Sequence, residues 1–268
     1  MRTSEHKARN IRKSILQMVS RAKAAHVGGA LSVADLLAVL YFDVLKIDPA
    51  QPRWEDRDRL IFSKGHAVAA LYATLAERGF VSKETLANYY ANGSKLGGHP
   101  VMDSVPGIEC STGSLGHGLA MGVGMAIAGR NDGKSHRVFV IVSDGECDEG
   151  STWEAAMFAS QMKLDNLVVV VDYNRWQGFG KTDEVVNLEP FRKKWQSFGW
   201  ETREINGHDH GEIFQALSGV PFRRGKPSAL IAHTTKGKGV SFMEGRFEWH
   251  YLSPNEQQLK NALLELGE

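Results

Sequence analysis

Residues 138–150, VFVIVSDGECDEG, and residues 166–176, NLVVVVDYNRW, decide the fold. The first opens on the apolar run Val138 to Val142 and stops at Ser143-Asp144-Gly145. The second opens on Leu167 to Val171 and stops at Asp172-Tyr173-Asn174. Between them, Glu149 to Lys163 carries a helical pattern in which Trp153, Met157 and Leu164 recur at helix-like spacing. Strand, helix and strand in this order predict a βαβ unit with parallel strands and a right-handed crossover. Asp144 and Asn174 then fall just past the carboxyl ends of their strands, the edge at which open α/β sheets bind ligands.

The residue types narrow the ligand. Asp144 offers a hard carboxylate oxygen and Asn174 an amide oxygen, with no thiolate or imidazole as third member, which suits Mg²⁺ or Ca²⁺ better than zinc. Mg²⁺ takes six oxygens at about 2.0–2.1 Å, several of them from phosphate and water. The backbone carbonyl of Trp176 is the candidate third protein donor. Gly145 removes a side chain where a phosphate would come close. An ordinary strand-end aspartate in a generic doubly wound domain is the bland alternative.

Asp144-Gly145 followed by Asn174 after an apolar strand resembles the thiamine-diphosphate fingerprint, and residues 143–174 are similar to the cofactor-binding half of transketolases. The resemblance implies an α/β fold, doubly wound around a mostly parallel sheet with helices on both faces. It implies one thiamine-diphosphate-binding domain over residues 1–268, with thiamine diphosphate and Mg²⁺ as cofactors and Ca²⁺ or Mn²⁺ as substitutes.

Composition is consistent with that. The chain has 268 residues, enough to bury a full α/β core, and its 42% apolar and 24% charged content is that of a globular protein. A net charge of +1 gives no reason to expect nucleic-acid or membrane partners. Two cysteines, Cys110 and Cys147, make no disulfide framework, so a reducing cytoplasm is expected. The charged N-terminal residues lack the apolar core of a signal peptide, and no run reaches the roughly 18 apolar residues of a membrane span.

Taken in order, a first helix is expected from about Ser4 to Lys23, capped by Thr3 or Ser4. Gly28-Gly29 reads as a break, with Ser32 as the N-cap of a second helix to about Leu45. His26 stands at the break, where transketolases place a histidine that faces cofactor and sugar. The family's usual Gly-His-Pro-Gly is here His26-Val27-Gly28-Gly29, so the position carries over better than the loop. Residues 57–67, RDRLIFSKGHA, read as a short strand running into a helix that ends near Arg78, and match a family segment whose histidine, here His66, reaches the diphosphate. Residues 92–118 show little periodicity and seven glycines, a long loop of the kind that usually carries function. In it, Gly97-Gly98-His99-Pro100 resembles the segment that places a histidine near the donor sugar. Gly113-Ser114-Leu115-Gly116 resembles the one whose backbone passes the cofactor, with Leu115 against the pyrimidine ring. His117 replaces the family's glutamine and receives no role. Small residues at Gly118, Gly122, Ala126 and Gly129 predict a helix packed closely on the sheet or on another subunit.

Glu146 is placed among the cofactor-binding residues with Gly145. Glu149 and Glu154 fall on one helix; family resemblance puts acidic residues there between paired active sites, and Glu154 with the cofactor. Gly178 and Gly180 mark a loop over the diphosphate. Helices near 189–198 and 211–217 and strands near 200–205 and 228–234 follow, with Asn206-Gly207-His208-Asp209 read mainly as turn chemistry. Lys236 and Lys238 lie beyond the last strand, either solvated or facing phosphate. His250 matches a histidine that contacts the diphosphate and handles a donor hydroxyl proton, and a helix from Pro254 to Leu266 closes the chain.

The resemblance implies one half of a split transketolase. The glutamate that activates the cofactor and the residues that bind sugar phosphate belong in the family to a second domain, which nothing here resembles. A C-terminal subunit carrying the pyrimidine side, an α2β2 heterotetramer and sugar phosphate substrates are therefore expected. His26, His66, His99 and His250 are the candidates for proton handling. The α subunit of a 2-oxo acid dehydrogenase and a non-catalytic cofactor-binding partner are the alternatives.

Overall fold

The apolar runs are buried along their whole length in the computed structural model, which describes residues 3–267. They form β2 (Val138–Ser143) and β3 (Leu167–Tyr173), two central strands of a five-stranded sheet completed by β1 (Arg59–Phe62), β6 (Glu201–Asn206) and β7 (Ser228–His233). The order is β1-β2-β3-β7-β6, and all four pairings are parallel. The sheet is thus wholly parallel, and the only antiparallel pair among the described residues is a small separate hairpin of β4 (Trp176–Gln177) and β5 (Gly180–Lys181).

Alternation along these strands builds two cores. Phe139, Ile141, Val168, Val170 and Leu230 pack toward α1 (Thr3–Ala22), α2 (Val27–Ser32), α3 (Ala34–Val39), α4 (Val68–Arg78), α9 (His210–Ser218) and α10 (Glu256–Glu265). Val138, Val140, Val142, Val169 and Val171 pack toward α5 (Gly118–Asn131), α6 (Gly150–Gln161) and α8 (Phe191–Ser197). A four-residue helix, α7 (Thr182–Val185), follows the hairpin. The crossover from β2 to β3 uses α6 on one face and that from β6 to β7 uses α9 on the other. The winding therefore reverses between β3 and β7, and a crevice at such a switch point is where parallel sheets hold ligands.

Four local expectations need correction. Gly28 and Gly29 lie inside α2 rather than breaking a helix; the break sits at His26, which is its N-cap with φ 70°, a left-handed conformation costly for a residue with a Cβ. Ser32 is no N-cap: it ends α2, and its hydroxyl donates to Asp172 Oδ2 at 2.6 Å. Ser4 lies within α1, buried, with its hydroxyl 3.0 Å from His210 Nδ1, so it does not cap the helix. Met157 is 53% exposed, because α6 turns Thr152, Ala155, Ala156 and Ala159 inward and its small side chains let the helix lie close to its neighbours. The small stripe of α5 faces the sheet: a Cβ on Gly122 would stand 2.5 Å from Val140 Cγ2.

Candidate active site

At the carboxyl edge of β2 and β3, Asp144 and Asp172 are wholly buried and Asn174 nearly so. Asp144 accepts from Gly145 N at 3.0 Å and from Arg175 N at 2.5 Å. Asn174 Oδ1 accepts from Trp176 N at 3.0 Å. Arg175 between them has φ 67°, and this left-handed residue folds the chain so that Asn174 and Trp176 turn back toward Asp144. Burial, then the charge of Asp172, pushes the Asp144 carboxyl up to about 7. A divalent cation would relieve that repulsion. Among the described residues no three His, Cys, Asp or Glu side chains stand so that they could hold a metal ion together, so a metal here would rest on a mixed set: one carboxylate, one amide oxygen and the Trp176 carbonyl. That donor set fits Mg²⁺ or Ca²⁺.

Beside it, three imidazoles gather. The rings of His26 and His66 lie 5.3 Å apart, those of His26 and His250 5.0 Å, and those of His66 and His250 6.1 Å. They come from the N-cap of α2, the turn before α4 and the turn at 247–250, and the His26 backbone N–H donates to His250 O at 2.8 Å. His99 approaches from the long loop: its ring lies where a Cβ on Gly113 would be, with Cδ2 at 2.5 Å, and Gly113 itself has φ 138°. The conformation and the close approach together require glycine there.

Two buried lysines set the electrostatics. Lys64 pairs with Asp172 and donates to Gly29 O at 3.0 Å; Ser32 and Thr234 also donate to Asp172. Burial and the Lys64 charge lower Lys236 to about 8, and its Nζ lies 3.0 Å from His250 Nδ1. Burial, then His99 and the two lysines, lowers His26 to about 4; burial, then Lys236, His26 and Lys64, lowers His250 to about 3. Burial and Lys64 hold His66 well below the ordinary histidine range. All three rings are therefore neutral near pH 7 and able to accept a proton, and the Lys236 ammonium beside His250 is the cation that would favour an anion. The buried lysines next to a divalent-metal donor set fit a diphosphate with its metal.

The other expected residues divide. Leu115 is half-buried and Ser114 exposed on the loop leading to α5. Gly145 is explained within the chain, since a Cβ there would meet Gln177 Cβ at 2.8 Å. The buried Glu146 carboxylate accepts from Ser63, from Gly116 N at 3.0 Å and from Ser143 N at 3.4 Å, tying residues 113–116 to the turn after β2. Glu154 is exposed on α6, outside the histidine cluster. His117 is the N-cap residue of α5, with Nδ1 3.1 Å from Leu115 O. Lys238 pairs with Glu244 at 3.3 Å, so of the two lysines beyond β7 only Lys236 reaches the histidines. Lys64, Asp172 and Arg175 were missed. A lysine beside a glycine reads as solvated, and only the polar end of the VVVVD run hinted at Asp172.

Residues 3–267 match the family described as transketolase, thiamine diphosphate binding domain. One subunit of the apulose-4-phosphate transketolase of Phocaeicola vulgatus is 46% identical over 266 residues, which cover 99% of this chain and 94% of that one. The 6-deoxy-6-sulfo-D-fructose transketolase subunit SqwG of a Clostridium species is 44% identical, covering 98% and 95%. The solved transketolase from Leishmania mexicana superposes with a TM-score of 0.94 at 31% identity, over 100% of this chain and 42% of that one. The chain thus spans about two fifths of a full-length solved transketolase.

Proposed function

The chain belongs to the transketolase family, and from that premise we propose that it is the diphosphate- and metal-binding subunit of a split, thiamine-diphosphate-dependent transketolase. The single observation that carries this is the convergence of three neutral imidazoles and two buried lysines beside Asp144 and Asn174 at the β3/β7 switch point. Two relatives of nearly the same length bear subunit names, which supports a second chain holding the pyrimidine side. An α2β2 assembly and a cytoplasmic setting belong to the same proposal. Among the described residues no helix is long and apolar enough to cross a membrane.

Asp144, Asn174 and the Trp176 carbonyl would hold Mg²⁺, and Lys236, His66 and His250 would receive the diphosphate. When bound, thiamine diphosphate supplies the nucleophilic carbon and electron sink that allow a bond beside a ketone to break. The rest falls to this chain. Lys236 offsets the phosphate charge, Lys64 being already paired with Asp172. An anion among them raises the basicity of His26 and His250, since lysine charge is part of what depresses both. His26 or His250 then accepts the proton of a donor hydroxyl at a ring nitrogen and returns it to the product. His99, exposed on its loop, orients hydroxyls at the mouth. Glu149 and Glu154 would act between paired sites in the assembly.

The relatives act on apulose 4-phosphate and on a sulfonated fructose by name, so a ketose, its class to be assigned by assay, is the proposed donor. The 2-oxo acid dehydrogenase reading is not favoured by these relatives. The test is co-purification with the second subunit, followed by a two-carbon transfer assay from xylulose 5-phosphate to ribose 5-phosphate, extended to other ketoses. Transfer by the pair and by neither chain alone is expected. Activity of this chain by itself, or turnover of pyruvate by the pair, would overturn the proposal.

A further inference from the structure

We infer that His208 is a positioning residue for the diphosphate end of the site, fixing the backbone of Thr235 and thereby presenting Lys236 to His250; this rests on the function proposed above. His208 lies in the turn between β6 and α9, and that turn does not need its ring. Asn206 Oδ1 accepts from His208 N at 3.0 Å, and Asp209 caps α9 by accepting from Gly211 N at 2.7 Å and Glu212 N at 3.0 Å. The imidazole is directed elsewhere. Its Nε2 accepts from Thr235 N at 2.8 Å, which leaves the proton on Nδ1 to donate to Asp35 Oδ2 at 2.7 Å.

Asp35 is a firm anchor. It is buried in α3 and receives both guanidinium nitrogens of Arg12 from α1, at 2.9 and 2.6 Å, and stands 3.0 Å from His210 Nε2. Burial works against its charge, yet Arg12 and the two histidines hold its carboxyl well below the usual range, so it remains an acceptor and fixes the His208 tautomer. The other end of the relay is the loop after β7. Its next residue, Lys236, is buried with its stem against α2, where a Cβ on Gly28 would stand 2.9 Å from Lys236 Cγ. Gly237 N donates to Gly28 O at 2.9 Å on the far side of that lysine. Lys236 O itself accepts from Gly245 N at 2.9 Å. The backbone on either side of Lys236 is thus anchored at Thr235 and at Gly237, and the Thr235 N–H is held by a side chain, that of His208.

The test is calorimetric titration of the complex between the full chain and its second subunit with thiamine diphosphate in Mg²⁺. H208Q places an amide oxygen where Nε2 stands and keeps the Thr235 bond. H208N places an amide nitrogen where Nδ1 stands and keeps only the Asp35 bond. Cofactor affinity within about twofold of wild type is expected for H208Q, and a loss of about tenfold for H208N. Adding K236M to H208N should cost nothing beyond K236M alone, because both act through one contact. Wild-type affinity in H208N, an equal loss in H208Q, or multiplying losses in the double variant would each overturn the inference. A wild-type complex that takes up no cofactor would instead overturn the reading beneath it.

Discussion

His26 and His250 share a burden that neither motif shows alone, because both are depressed by burial and by the same two lysines, and His26 further depresses His250. Their neutrality makes them acceptors, and removal of an acceptor strikes the chemical step more than the binding step. His26→Ala and His250→Ala are each expected to lower kcat by about 10²–10⁴-fold, with cofactor affinity changed far less. Equal losses in both quantities would show that the rings only bind. Lys236 makes a separate prediction with a definite sign. Without an anion it loses its proton from about pH 8, whereas a phosphate oxygen beside it favours the charged form. Above that pH, binding must take up a proton, so cofactor affinity should fall by up to about tenfold per pH unit. In K236M the weaker affinity should be flat over the same range. The histidines were legible because each sits in a segment that resembles one of the transketolase family. The Lys64–Asp172 pair was not, since it joins the turn after β1 to the end of β3 across the intervening β2, and nothing local at either residue announces the other.

Elements were easier to read than their faces. Continuous apolar runs mean strands covered on both sides, and that rule located β2 and β3 and hence the edge where the site lies. The helix between them was legible by spacing, but its buried side is lined by alanine and threonine rather than by Met157. Hydrophobicity alone cannot separate a stripe that faces the sheet from one that faces outward when the inward side is built of small residues. α5 shows how this can be measured, since it carries two glycines with opposite surroundings. A Cβ on Gly122 would press on Val140 at 2.5 Å, while one on Gly124 would meet nothing within 4 Å. Gly122→Ala should therefore cost about 1–3 kcal/mol through overpacking. Gly124→Ala should stabilise the chain by about 0.5–1 kcal/mol by removing backbone freedom from the unfolded state. Urea or thermal unfolding of the two variants checks the pair, and shifts of the same sign would mean that α5 does not lie on the sheet as described.

At the scale of the whole molecule the proposed function gives the site one half of a ligand. In the proposed function Asp144, Asn174, Lys236 and the histidines would deal with a metal, a diphosphate and hydroxyls, and a second subunit would take the remainder; the chain covers 42% of a solved transketolase. Next to the histidines the surface is unusually apolar. Phe179, at the tip of the β4–β5 hairpin, is 86% exposed, and Tyr251 and Leu252, which follow His250, are 55% and 52% exposed. The Tyr251 hydroxyl donates to Gly178 O at 2.6 Å, so hairpin and histidine turn form one continuous rim. Large apolar side chains grouped at the mouth of a polar site are costly in water and mark a contact surface. The occupant consistent with the proposed function is the second subunit, closing over the cofactor from the pyrimidine side. Phe179 packs on nothing that the chain's own fold requires, so Phe179→Ser should leave the melting temperature of the isolated chain unchanged. It should weaken association with the second subunit by about tenfold, the effect of losing one buried aromatic side chain at an interface. Analytical ultracentrifugation of wild type and variant against the same partner reads that difference directly. An unchanged dissociation constant would place the second subunit elsewhere and leave the rim open to substrate.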